Sequence, residues 1–76
     1  MEISKVVAII NEISALEGAE LVDVMMSGLV VEYNSTKYWM GIEDDRLAIR
    51  KYKATEKNTV ICRIGTFKKS DLDFLN

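Results

Sequence analysis

No histidine occurs anywhere in this chain. That absence removes the commonest general base and metal ligand, every Ser-His or Cys-His nucleophile arrangement, and zinc sites built on imidazole. Proline is missing too, and the four glycines are scattered, so there is neither a phosphate-cradling loop nor a dinucleotide fingerprint. The single cysteine, Cys62, cannot form an internal disulfide, and no oxidised framework braces the fold. There is no run of about 20 apolar residues and no basic segment leading into a short apolar stretch. Neither a membrane span nor a secretory signal is therefore expected, and the expected location is cytoplasmic. Glu43, Asp44 and Asp45 are consecutive acids, but they lack the ligand spacing and central glycine of a calcium loop. No cofactor and no metal are expected, and the chain reads as a non-enzyme.

What is present suits one α+β domain spanning 1–76. Of the 76 residues, 49% are apolar and 29% charged, a globular and not a disordered composition. A domain this small buries only about 60% of its unfolded surface, so stability has to come from close packing, a partner chain included.

Charge is distributed unevenly. Residues 1–45 hold nine acids and two lysines, a net of −7, whereas residues 46–76 hold eight bases and three acids, a net of +5. Such a chain folds into an electrically bipolar molecule unless the sheet interleaves the halves, and the simplest expectation is that opposite halves pair across it.

The stretch Lys37 to Tyr52, KYWMGIEDDRLAIRKY, has two arms that fix each other's register. Tyr38, Met40 and Ile42 alternate with Lys37, Trp39, Gly41 and Glu43 on one arm, and Leu47 and Ile49 with Arg46, Ala48, Arg50 and Tyr52 on the other, a period of two. A two-residue turn at Asp44-Asp45 opposes Glu43 with Arg46, Ile42 with Leu47, Gly41 with Ala48, Met40 with Ile49, Trp39 with Arg50, and Lys37 with Tyr52. Aliphatic pairs gather on one face; an ion pair and a cation over an indole gather on the other. Turns of this kind need positive φ, which Asp-Asp supplies less readily than Asn-Gly.

Upstream, residues 2–17 place Ile3, Val6, Val7, Ile10, Ile13 and Leu16 at spacings of three and four, an amphipathic helix that Gly18 would cap. Ile9 widens the stripe, and Ile10 and Ile49 are expected in the core. ELVDVMM and LVVEYN then read as strands around a turn at Ser27-Gly28, with Val22, Val24 and Met26 facing inward and Asp23 opposite Glu32. Ser35-Thr36 reads as the next turn. After Tyr52 comes a polar loop with Asn58 in a left-handed conformation, then a last strand with Val60, Cys62 and Ile64 inward. The tail reads as a short helix with Ser70 as N-cap and Leu72, Phe74 and Leu75 buried. The sum is an N-terminal helix and a short C-terminal helix on one face of a five-strand antiparallel meander. Helix, strands, helix is also the order of double-stranded RNA-binding domains, but the strand count, the short last helix and the single Lys68-Lys69 pair do not match them.

On the helix-free face this register gathers Leu21, Asp23, Met25, Val30, Glu32, Lys37, Trp39, Glu43, Arg46, Arg50, Tyr52, Ile61 and Arg63. Tryptophan, tyrosine and arginine are the types enriched at binding hot spots, and the apolar members would leave a large exposed patch. The first reading is a small protein-binding module acting through Trp39, Arg50, Tyr52, Arg46, Arg63, Lys37, Met25 and Glu32. Its partner is another protein or a second copy of itself. Small, acidic, motif-poor chains are common among phage and mobile-element inhibitors, adaptors and accessory proteins, a compositional association that names no target. The second reading is nucleic-acid binding, with Lys37, Arg46, Arg50 and Arg63 on phosphates and Trp39 and Tyr52 stacking bases. A pI of about 5.0, with Glu32 and Asp23 on the same face, argues against a long polyanion.

Overall fold

The computed structural model describes residues 3–75. Helix α1 (Ile3–Ala15) is followed by strands β1 (Ala19–Val24), β2 (Leu29–Tyr33), β3 (Thr36–Glu43), β4 (Arg46–Lys51) and β5 (Val60–Arg63), with a one-turn 3₁₀ helix at Glu56–Asn58 and a closing helix α2 (Lys69–Leu75). Glu2, with which the expected helix begins, and the terminal Asn76 lie outside the described residues. The strands form one antiparallel sheet in the order β1-β2-β3-β4-β5, and α1 and α2 contact it. This is the α+β meander that the residue periods predict.

The β3–β4 hairpin has the expected register. Trp39 pairs with Arg50, Met40 with Ile49, Gly41 with Ala48, Ile42 with Leu47 and Glu43 with Arg46. The Tyr52 amide donates to the Lys37 carbonyl at 2.9 Å just beyond the ladder. Asp44 and Asp45 do occupy the turn, both left-handed at φ 50° and 61°, the conformation that a two-residue turn between twisted strands requires. Asp45 also meets Lys5 of α1 in a close ion pair, which fastens the turn to the helix.

The other two turns differ from expectation. Between β2 and β3 the turn residues are Asn34 and Ser35, both left-handed, so Tyr33 pairs with Thr36 and Val31 with Tyr38. The shift from Ser35-Thr36 moves the pairing by two residues, and a shift of two keeps every side chain on its face. Between β1 and β2, Met25 and Gly28 bond to each other reciprocally, at 2.7 and 3.2 Å, so Met26 and Ser27 form the turn. A bulge between Leu21 and Asp23 then changes the count by one. On the α1 side of the bulge the facing inverts, so Leu21 lies opposite core-facing Val31 instead of on the helix-free side; on the turn side Asp23 keeps its face but pairs with Val30, not Glu32.

The main core lies between the sheet and the helices: Ile9 and Ile13 of α1, Leu29, Val31 and Tyr33 of β2, Tyr38 and Met40 of β3, Leu47 and Ile49 of β4, and Leu72 of α2. The helix therefore presents the row Val6, Ile9, Ile13, Leu16 to the sheet. Ile10 is only partly buried, and the parallel row Ile3–Val7 is left outside. The expected inward stripe was rotated because α1 is apolar over more than half its circumference. The helix stops at Ala15, earlier than expected, and Gly18, left-handed at φ 86°, serves instead in the turn from Leu16 to Ala19 that leads into β1.

At the other end, Lys53 and not Asn58 takes the left-handed conformation. In α2 the reaching-back residue is Asp71, whose Oδ2 accepts the Lys68 amide at 2.9 Å, rather than Ser70. Phe74 is 81% exposed, contrary to expectation, because Leu72 and Leu75 take the inward side of this short helix. Cys62 is half-buried opposite Leu47, and burial, with smaller contributions from Asp71 and Glu12, pushes its thiol up to about 11.

Candidate protein-binding surfaces

The helix-free face is built around the one tryptophan, and the backbone around it explains how. Gly28 and Gly41 come side by side where β2 begins against β3. A Cβ on Gly41 would overlap Cζ2 and Cη2 of Trp39, and one on Gly28 would overlap the Met40 carbonyl and stand 3.1 Å from Trp39 Nε1. The indole therefore lies flat over a floor of glycine, beside Val30. From the other side the Arg50 guanidinium stacks on the ring, 4.3 Å from its centroid. Arg50 Nε is buried there with no acceptor, and its Nη1 stands 3.9 Å from Glu56.

The consequence corrects the premise of an exposed tryptophan patch. Trp39 is 8% exposed and Val30 3%; together with Ala48 they form a second, smaller core on the side without helices. The large residue is enclosed by its own sheet and by a cation, which strand periodicity cannot reveal.

The remaining predicted residues are spread across that face. Arg46 is exposed and opposes both Glu43 and Arg63. Lys37 is exposed opposite Glu32, which is half-buried and has Glu20 on its other side. Tyr52 is half-buried with the Lys53 ammonium 5.6 Å from its ring centroid. Met25 is half-buried at the closed end of the β1–β2 hairpin. Arg50 and Trp39 are brought together; Arg46 and Arg63 are brought together at the β5 edge; no single apolar patch joins the set.

The apolar exposure is concentrated elsewhere. Eight large hydrophobic residues are exposed among those described, and six of them are Ile3, Val7, Leu21, Val22, Val24 and Met26. All six belong to α1, β1 or the turn that follows β1, and α1 packs on β1. Val24 is 61% exposed and Met26 wholly so. β1 is moreover an edge strand, with its outward amides and carbonyls unpaired by any neighbour in the sheet. Sequence reading missed this surface because it placed Val22, Val24 and Met26 in the core. The available signal was excess: α1 and β1 together carry more aliphatic residues than one inward stripe each can bury.

Among the described residues no group of three acidic or cysteine side chains stands close enough to hold a metal ion, and no helix is long and apolar enough to cross a membrane. An open cleft of about 430 Å³ between α2 and the loop after β4 is lined by Lys51, Lys57, Thr59 and Phe74, without a convergent acid and base. Comparison with protein-family models, with curated proteins and with solved structures found no match.

Proposed function

We propose that this chain is a non-enzymatic protein-binding module, an inhibitor, adaptor or accessory protein, that engages its partner through the α1–β1 edge. The observation that carries the reading is the collection of Ile3, Val7, Val22, Val24 and Met26 on one helix and the edge strand beneath it. Exposed aliphatic surface concentrated on two adjoining elements is costly to leave in water and is a usual mark of an interaction site. The basic and aromatic residues of the helix-free face act less directly. Trp39 and Arg50 stiffen the sheet, while Lys37, Arg46 and Arg63 set the field that orients an approaching chain. The non-enzymatic part is supported by a sequence without histidine and by the raised pKa of its one thiol.

Nucleic-acid binding through the same helix-free face is less well supported. Stacking needs an open aromatic plane, and the indole plane is covered by Arg50.

The test is affinity capture from lysate by immobilised wild type, Val24→Lys and Arg46→Ala, with each variant's thermal unfolding as a control. The reading predicts that Val24→Lys folds normally and loses the proteins that wild type retains, while Arg46→Ala keeps them. Equal capture by Val24→Lys and wild type would overturn it.

A further inference from the structure

The sheet order preserves the sequence order, so within the sheet the charges stay separated: β1 and β2 carry Glu20, Asp23 and Glu32 and no base, whereas β4 and β5 carry Arg46, Arg50, Lys51 and Arg63 and no acid. On the helix-free face each edge ends in a like-charge pair. Glu20 opposes Glu32 at the β1 edge, and Arg46 opposes Arg63 at the β5 edge. Such pairs are unfavourable across strands. The inner member of each has an opposite charge across from it on its other side, Glu32 facing Lys37 and Arg46 facing Glu43, though neither pair closes to ion-pair distance. The outer members, Glu20 and Arg63, sit on edge strands and, among the described residues, have no opposite charge across from them in the sheet.

Resting on the binding-module reading above, we infer that the partner of the β1 edge is the β5 edge of a second copy of this chain. The two edges are complementary in charge on the helix-free face, Glu20 and Asp23 against Arg63, and each edge also exposes aliphatic side chains, Leu21 and Val24 on the helix side of β1 and Ile61 on the helix-free side of β5. The bulge draws Glu20 and Asp23 together to a span of two partner positions, from Glu32 to Val30, so both carboxylates come within reach of the one cation of β5.

Symmetric alternatives are worse. Pairing β1 with a second β1 brings four carboxylates together with no cation, and pairing β5 with β5 brings two Arg63 side chains into a four-residue contact with no acid. The bulge and the carboxylates are devices by which a free edge discourages indiscriminate strand addition. What they leave favourable is a short neighbour carrying a cation, and β5 is four residues long. In a five-strand meander the first and last strands run in the same direction, so with the helices kept on one side the contact is parallel. The interface is then head-to-tail and does not close at two copies: a ring or an open chain results.

Sedimentation velocity across a concentration series tests this with two edge variants, Val24→Lys on β1 and Arg63→Glu on β5; Val22→Lys and Ile61→Glu replace either one that fails to fold. Wild type should grow beyond a dimer as concentration rises and dissociate partly in high salt. Each variant alone should be a monomer. Mixed in equal amounts they should form a 1:1 dimer that grows no further, because the mixture has one intact edge of each kind. Self-association of Arg63→Glu alone, or a mixture that stays monomeric while wild type associates, overturns the inference. A wild type that is monomeric at all concentrations also overturns it, yet if that monomer captures a different protein in a Val24-dependent way the binding-module reading stands.

Discussion

The guanidinium carbon of Arg50 lies 4.3 Å above the Trp39 ring centroid, so the only tryptophan of the chain has a cation for a roof and glycine for a floor. Trp39 is thus a folding residue first. Truncation to alanine empties a site that is 8% exposed and is expected to cost about 3–5 kcal/mol, measured by urea unfolding. Arg50→Ala should cost about 1–2 kcal/mol, from the lost cation–π contact, and should shift the tryptophan emission to the red as water reaches the indole. A Trp39→Ala protein as stable as wild type would show that the ring is not enclosed.

Gly41 is constrained by its neighbour and not by its own backbone, since its φ is not left-handed. Gly41→Ala forces a methyl group into the Trp39 ring and is expected to destabilise by about 1–3 kcal/mol, the usual cost of overpacking. Combining it with Trp39→Ala should recover part of that loss, and a double-mutant cycle measures the coupling.

The β3–β4 turn holds two non-glycine residues in left-handed conformations, each strained by about 1 kcal/mol. Replacing Asp44 with asparagine, which tolerates this region better, should raise the thermal midpoint. Replacing Asp45 with glycine relieves strain but removes the Lys5 pair, so its gain should be smaller. The Lys5 ammonium holds the Asp45 carboxyl below its usual value. A depressed carboxylate favours folding above its unfolded pKa, and that small contribution fades as pH falls through the folded value. Asp45→Asn should flatten the acid limb of the stability curve accordingly.

Cys62 should be slow to alkylate at neutral pH. Burial raises its pKa from 9.0 to about 11, which leaves about a hundredfold less thiolate than in the unfolded chain. Because the folded pKa is the higher, this group favours folding below the unfolded value, and its contribution is lost as pH rises from about 9 to about 11. The check is the labelling rate in native buffer against that in denaturant; equal rates would show an open last strand.

The fold was legible where two independent signals agreed. In the β3–β4 hairpin the side-chain chemistry of both arms selected one register, and Asp44-Asp45 followed from it despite poor turn propensity. The β2–β3 turn was misplaced by one residue, which shifts the pairing by two, without consequence for facing because strand faces repeat every two. β1 was different: a bulge at Leu21–Asp23 breaks the period by one, and a run as aliphatic as LVDVMM offers an inward face in either phase. The exposed aliphatic surface was therefore hidden, since its residues look like core. The burial of Trp39 was hidden for another reason. It depends on two glycines distant in sequence, Gly28 and Gly41, becoming neighbours in the sheet.

Association through the α1–β1 edge, and not through the tryptophan face, is most directly tested by amide hydrogen exchange of the associated state against the monomer, with Trp39 emission followed in parallel. The result predicted is slowed exchange from Leu21 to Met26, whichever chain is bound, with the emission unchanged because the indole is already enclosed. Unchanged exchange in that segment, with new protection from Lys37 to Tyr52 and a shifted emission, would contradict it.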